Sequence, residues 1–161
     1  MKNDIKILEV EDGTLKSQYA RTVLEKLPEW FGDKQALEDF VVGVAGLPFW
    51  AATDDNGCCV GFISVRTHYG HTGDIYVCGV LPECHRQGIG KALYAAAEEH
   101  LIKNGCKYVM VKTLSDTDSY KPYARTRAFY KSIGFMPLVT LPEMWDEENP
   151  CLIMIKLPTG R

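Results

Sequence analysis

The sequence predicts an α/β fold, a sheet with helices on both faces. Three observations carry that prediction. The chain has 161 residues, 46% apolar and 24% charged, ordinary globular usage and long enough to bury a sizeable core. Segments of two-residue and 3.6-residue apolar period are mixed along the chain in the order β, α, α, β, β, β, α, β, α, β, β. No linker, repeat or low-complexity tract divides them, so residues 1–161 read as a single domain.

Ile5–Val10 alternates as a first strand and turns at Asp12-Gly13. Thr14 reads as the N-cap of a helix carrying Leu15, Tyr19, Val23 and Leu27, with Pro28 as its stop. Asp33 caps a second helix bearing Leu37, Phe40, Val41 and Val44, closed by Gly46 and Pro48. Phe49–Thr53 and Cys59–Thr67 flank Asp54-Asp55-Asn56-Gly57, a hairpin signal because Asn and Gly both tolerate positive φ. After a glycine-rich turn at His68–Gly73, Asp74–Val80 reads as an apolar strand. Gly88–Asn104 is a helix with Ile89, Leu93, Ala97 and Leu101 on its apolar face, ended by Asn104-Gly105. Lys107–Thr113 is a strand and Leu114–Lys121 a polar loop. Tyr123–Ser132 is a short helix stopped by Gly134, and Phe135–Leu141 and Leu152–Leu157 are two final strands.

Charge and cysteine usage narrow the function. Net charge is −3 and the pI about 5.8, without the basic stripe of a nucleic-acid binder. The six cysteines, Cys58, Cys59, Cys78, Cys84, Cys106 and Cys151, form no CxxC pair, and no His/Cys spacing matches a zinc site. They read as reduced thiols of a cytoplasmic protein. The N-terminal residues are not a signal peptide, and no stretch approaches a membrane span. The expectation is a cytoplasmic protein with no metal, no nucleic-acid partner and no membrane contact.

The chemistry concentrates in Leu81–Leu93, which runs from a strand through a short turn and Gly88-Ile89-Gly90 into a helix. A helix start offers unpaired N–H groups and partial positive charge. Glycines before it let an anion approach the backbone, and Arg86 and Lys91 add charge. The pattern predicts a phosphate or pyrophosphate site. A Walker loop needs glycine where His85 stands and Ser or Thr where Ala92 stands. A dinucleotide fingerprint needs glycine at Leu93. Both are excluded by residue identity.

At this point the chain resembles the GNAT superfamily of N-acetyltransferases. Its signature, Arg/Gln-x-x-Gly-x-Gly/Ala, reads here His85-Arg86-Gln87-Gly88-Ile89-Gly90, with Pro82-Glu83 before it and Lys91-Ala92-Leu93 after it. His85 departs from the first position of the signature. About 40 residues on, Thr126-Arg127-Ala128-Phe129-Tyr130-Lys131-Ser132-Ile133-Gly134-Phe135 resembles the second cofactor segment, aromatic-Tyr-x-x-x-Gly-Phe, with Tyr123 where many members have Asn. The element order from Ile5 to Leu157 follows the family. Leu27–Gly32 and Trp145–Lys156 look like a group of small stand-alone members.

The resemblance implies a GNAT-type mixed, mostly antiparallel sheet with a splayed central strand pair, Asp74–Val80 and Lys107–Thr113. It also implies transfer of an acetyl group from acetyl-CoA directly to a primary amine, with no metal. Backbone groups of Cys78, Gly79 and Val80 would pair with the pantetheine arm, and a backbone N–H near Val80 would polarise the thioester carbonyl. His85, Arg86, Gln87, Gly88, Ile89, Gly90, Lys91 and Ala92 would hold the pyrophosphate, chiefly through backbone N–H groups. Tyr123 and Thr126 fall on the cofactor side of the second segment. Tyr130 would be the general acid for the leaving thiolate; the alternative is an ordinary packing tyrosine. Asp74 is a candidate base, possible through water, with His68, His71 and Glu83 as others and a water chain as a further route. Trp30, Phe31, Trp145 and the acidic run Glu143–Glu148 would suit a cationic acceptor, or else simply pack under loops and solvate a surface. A homodimer is common in the family. Two other readings stay open: a non-catalytic acyl-CoA-binding or sensing module, and a nucleotide or sugar-phosphate site.

Overall fold

The computed structural model of the chain describes residues 4–116 and 120–158; the middle of the polar loop at 114–121 lies outside the described residues. Eleven elements follow one another: β1 (Lys6–Glu9), α1 (Gly13–Leu24), α2 (Lys34–Gly43), β2 (Phe49–Thr53), β3 (Cys59–His68), β4 (Thr72–Val80), α3 (Ile89–Lys103), β5 (Tyr108–Leu114), α4 (Lys121–Ser132), β6 (Met136–Asp146) and β7 (Asn149–Lys156). The strands form one seven-stranded sheet in the order β1-β2-β3-β4-β5-β7-β6. Every neighbouring pair is antiparallel except β4 and β5, which run parallel.

Helices cover both faces. Adjacent strand residues point to opposite faces. A Cβ on Gly79 would meet Val23 of α1 and Leu27, whereas Gly61, cross-strand partner of Val80, faces Leu93 of α3. The core between these layers is built from Phe49, Phe62, Leu24, Val44, Leu93, Leu101, Val109 and Met154, all under 3% exposed. Among the described residues no helix is long and apolar enough to cross a membrane.

Several boundaries differ from the sequence expectation, each for a local reason. The first helix is capped by Asp12, not Thr14: its carboxylate accepts from the Thr14 and Leu15 N–H groups. That helix ends at Leu24, ahead of Pro28. In the β2–β3 hairpin only Gly57 takes positive φ, 77°. Asp54 closes that loop instead, accepting from the Asn56 and Cys58 N–H groups. The β3–β4 turn is the tight one, with Tyr69 at φ 55° and Gly70 at φ 71°, and it lets β4 begin at Thr72. β6 runs past Pro142 to Asp146 because it is an edge strand, where a missing N–H breaks no ladder. The acidic run is therefore the end of β6 and its turn, with Asp146 accepting from the Glu148 N–H.

The feature that shapes the site is the parting of β4 and β5. Their ladder runs from Thr72↔Tyr108 to Ile75↔Val111 and stops. β4 continues to Val80 on β3, and β5 continues to Leu114 on β7. The register of β4 with β3 skips from Ile75↔Val65 to Val77↔Ser64, which leaves Tyr76 as a bulge. A bulge bends its strand and increases the local twist, so β4 turns away from β5 where the wedge opens.

The end of β7 is tied to α3 below this wedge. Lys156 Nζ donates to Glu98 Oε2 at 2.7 Å, the two side chains being 12% and 11% exposed. The same ammonium lies 4.7 Å from the centroid of the Tyr94 ring. Removing one partner strands a nearly buried charge. Lys156→Met is expected to lower stability by about 3 kcal/mol. Adding Glu98→Leu to that variant should recover most of the loss, read from urea melts of the three variants against wild type.

Candidate functional site

A cavity of about 1420 Å³ occupies the wedge. Its walls come from β4, β5, the start of α3, α4, the α1–α2 connection and the β6–β7 hairpin. One end is an anion cradle. Arg86 takes φ 65°, rare for a residue with a side chain, and Gly88 takes φ 79° as the N-cap of α3. Such strain persists where the surroundings enforce it and clusters at functional sites. The first intrahelical bond of α3 is from the Ala92 N–H to the Gly88 carbonyl, 3.0 Å. The N–H groups of Ile89, Gly90 and Lys91 precede it and face the helix start. Together with the left-handed turn they form a concave nest of donors.

This cradle is narrower than the motif suggests. His85, Arg86, Gly88, Ile89, Gly90 and Lys91 line the cavity; Gln87 and Ala92 do not. The Gln87 amide reaches back to the Glu83 carbonyl at 3.4 Å, and the Ala92 N–H is already bonded. Gly90 has a second reason to be glycine. A Cβ there would lie 2.9 Å from the Phe129 ring, so the first motif packs directly on the second.

Along the wedge, backbone alternation decides which groups are available. The Leu81 N–H bonds Val60 on β3, so the polar groups of Val80 and Cys78 turn to the open edge and those of Gly79 turn to β3. Gly79 therefore lines the cavity without offering its amide to it. The Val80 carbonyl accepts from His85 Nε2 at 2.7 Å, which fixes that ring as the Nε2–H tautomer. His85 thus acts through its side chain after all, by folding the cradle onto β4.

Tyr130 enters the wedge from α4 and is 5% exposed. The turn at Gly134, φ 107°, brings the Phe135 N–H to the Tyr130 carbonyl at 3.0 Å and sets the Phe135 ring edge-on to Tyr130, centroids 5.7 Å apart. This is the physical content of the Tyr-x-x-x-Gly-Phe pattern. The Tyr130 hydroxyl lies 3.4 Å from Cys78 Sγ. Burial holds its pKa well above 10.0.

Tyr123 and Thr126 line the cavity but are occupied by the α1–α2 connection. Trp30 Nε1–H donates to Thr126 Oγ1 at 2.9 Å and to the Pro122 carbonyl at 3.1 Å. The Tyr123 hydroxyl donates to the Trp30 carbonyl at 3.0 Å, and the Tyr120 hydroxyl to the Glu29 carbonyl at 2.9 Å. The Trp30 ring also meets His85 edge-on, centroids 6.2 Å apart. Trp30 is thus a strap from the cradle to α4. Sequence reasoning placed Trp30 near the acceptor and missed this tie, together with Tyr120 and the Cys78 thiol. Residues 92 to 96 positions apart leave no mark in a local pattern.

The proposed bases lie elsewhere. Asp74 is 2% exposed; its Oδ2 accepts from Arg66 Nε at 3.0 Å and from His68 Nε2 at 2.8 Å. His71 Nδ1 meets Thr72 Oγ1 at 2.7 Å. None of Asp74, His68, His71 and Glu83 lines the cavity. Asp74 is therefore corrected from candidate base to the centre of an ion-paired cluster on β3 and β4. Of the region expected to take the acceptor, Glu29, Trp30, Phe31, Asp33, Trp145 and Asp146 line the cavity. Asp33 and Asp146 also cap, respectively, α2 and the β6–β7 turn. Among the described residues no group of three or more His, Cys, Asp or Glu is placed to hold a metal ion.

Known proteins match this chain in sequence or in fold. A mycothiol acetyltransferase of Saccharopolyspora erythraea is 36% identical over 78 residues, 48% of this chain and 26% of that protein. One from Renibacterium salmoninarum is 30% identical over 107 residues, 63% of this chain and 29% of that protein. The matched regions thus span well under half of these relatives. Among solved structures, a GNAT-family protein from Desulfovibrio desulfuricans superposes with a TM-score of 0.81 at 20% identity, over 97% of this chain and 100% of that one. An aminoglycoside 6′-N-acetyltransferase complexed with coenzyme A gives 0.73 at 21% identity, over 98% of each. The model of the Acetyltransferase (GNAT) family matches residues 14–135, and with the wedge, the cradle and the Tyr130 turn all in place, the chain belongs to that family.

Proposed function

We propose that this chain transfers an acetyl group from acetyl-CoA to a primary amine. The observation that carries the reading is that the anion cradle, the open edge of β4 and the Tyr130 hydroxyl line one continuous cavity. The fit to coenzyme A rests on that shape: a donor nest with Arg86 and Lys91 at one end, and free strand edges beside it. Acetyl-CoA supplies a thioester already activated toward amines.

The chain's own groups supply position and proton traffic. Backbone groups of Cys78 and the Val80 N–H face the arm, the Val80 carbonyl being taken by His85. An N–H on the open edge near Val80 aims at the place where negative charge develops on the carbonyl oxygen. Tyr130 stays protonated because burial raises its pKa, and it gives that proton to the departing sulfur. The cavity is open to water, and with all four side-chain base candidates outside it, the ammonium of the acceptor loses its proton to solvent. Glu29, Asp33 and Asp146 make the acceptor side electronegative, and Trp30, Phe31 and Trp145 offer ring faces. A small cationic amine suits that wall, and the relatives called mycothiol acetyltransferases likewise carry a small molecule in their name. Free thiols at all six cysteines suit a cytoplasmic setting. That Asp74, His68, His71 and Glu83 all lie off the cavity walls is the observation that favours the second reading, an acyl-CoA sensor.

The deciding assay is thiol release from acetyl-CoA with spermidine, glucosamine, an aminoglycoside and S-methylcysteine as amines. Release with at least one is expected; binding of acetyl-CoA without release across the panel would replace the enzyme by the sensor. Tyr130→Phe should lower kcat by about 100-fold with little change in the KM for acetyl-CoA. Because Tyr130 acts in its protonated form and burial raises its pKa, kcat in wild type should show no alkaline fall assignable to this residue up to pH 10. Gly88→Ala forces an L side chain to φ 79°. It should weaken coenzyme A binding in calorimetry by about 1 kcal/mol.

A further inference from the structure

The ring of Tyr130 is held firmly, but its hydroxyl hydrogen is not. Phe129 and Phe135 meet the ring at centroid distances of 5.5 and 5.7 Å. These contacts fix the plane of the phenol and leave rotation about the C–O bond free. The side chain that meets the hydroxyl is Cys78, half-buried on β4 in the wedge, with Sγ 3.4 Å from Oη.

Two protons share this one contact. If the phenol donates to Sγ, its proton is turned away from the place where the thioester sulfur lies and the acid is idle. If the thiol donates to Oη, the phenol proton is left over and faces the cavity. We propose that Cys78 is a positioning residue: its S–H donates to Tyr130 Oη and so directs the phenol proton at the leaving sulfur. The inference rests on the reading of Tyr130 as general acid and specifies how that acid is aimed.

The proton balance closes. The carbon–sulfur bond breaks with its electron pair going to sulfur, and the phenol proton moves to that sulfur. The growing negative charge on Oη is met by the S–H already pointing at it, which keeps its own proton. Burial raises the Cys78 thiol above its ordinary value, so it remains a donor at neutral pH. The bond formed is the one from the amine nitrogen to the carbonyl carbon, and the proton that this nitrogen sheds as it becomes an amide returns to Tyr130 through water.

Infrared difference spectra of wild type minus Cys78→Ala isolate the S–H stretch of Cys78 in the unliganded protein. The stretch should lie at a lowered frequency and rise in Tyr130→Phe; a band that does not move with Tyr130→Phe overturns the donor assignment. In turnover with acetyl-CoA and the fastest amine of the panel above, Cys78→Ala should lose about 3- to 10-fold in kcat. Its KM for acetyl-CoA should not change, and its melting temperature should match that of Cys78→Ser. Cys78→Ser, which restores a donor, should stay within about twofold of wild type, and Cys78→Ala should add no loss in a Tyr130→Phe background. An unchanged kcat in Cys78→Ala, an equal loss in Cys78→Ser, or additive losses in the double variant would each refute the proposal. If Tyr130→Phe keeps full kcat, the acid reading falls and this proposal with it. If Tyr130→Phe is slow and Cys78→Ala is not, only the positioning role falls.

Discussion

Everything at this site depends on β4 and β5 pairing for four residues and then parting. A sheet does not open in its middle without a cost, because each strand edge exposes unpaired N–H and C=O groups. Here both edges are supported from behind. β3 holds β4 as far as Val80, and β7 holds β5 as far as Leu114. The bulge at Tyr76 supplies the bend. The displaced Tyr76 ring is locked between Phe40, at a centroid distance of 5.4 Å, and the Arg66 guanidinium, 5.0 Å above it. The opening is therefore built into the strand register, and a ligand does not have to pry it apart.

Two sequence motifs, about 40 residues apart, meet across this opening. Each was legible because its meaning is local. Gly88 and the residues behind it describe a helix start, and Tyr130-x-x-x-Gly134-Phe135 describes a turn that folds a ring back beneath another. The contact of Gly90 with Phe129 is a property of neither motif alone. The same limit explains Trp30. The sequence shows an aromatic pair between two helices, and nothing in that segment says that its indole will bond Thr126. Asp74 failed in the opposite direction. A carboxylate at the start of a central strand resembles a base until its neighbours, Arg66 and His68 on the adjacent strand, are seen to use it. Side-chain periodicity names the face of a strand and not the cross-strand partner.

The small errors at element ends have a common cause as well. Asp12 and Thr14 are both competent caps, and the choice between them lies in which oxygen reaches two N–H groups at once. Pro142 reads as a strand stop until β6 is known to be an edge. In each case a residue's local preference is the same in both outcomes, and tertiary position selects between them.

The strap at Trp30 changes what α4 is for. Tyr123 and Thr126 stand on the helix face that leads, one turn on, to Tyr130, so they were expected to touch the cofactor arm. They line the cavity and also anchor the α1–α2 connection, while the same indole meets His85. His85 in turn bonds the Val80 carbonyl. A chain of direct contacts thus runs from the wedge strand through the cradle and the strap to the helix that bears Tyr130. In this chain the departure of His85 from the family signature and the replacement of Asn by Tyr123 are therefore not two independent losses. Both side chains meet Trp30, and together they tie three parts of the cavity wall to one another.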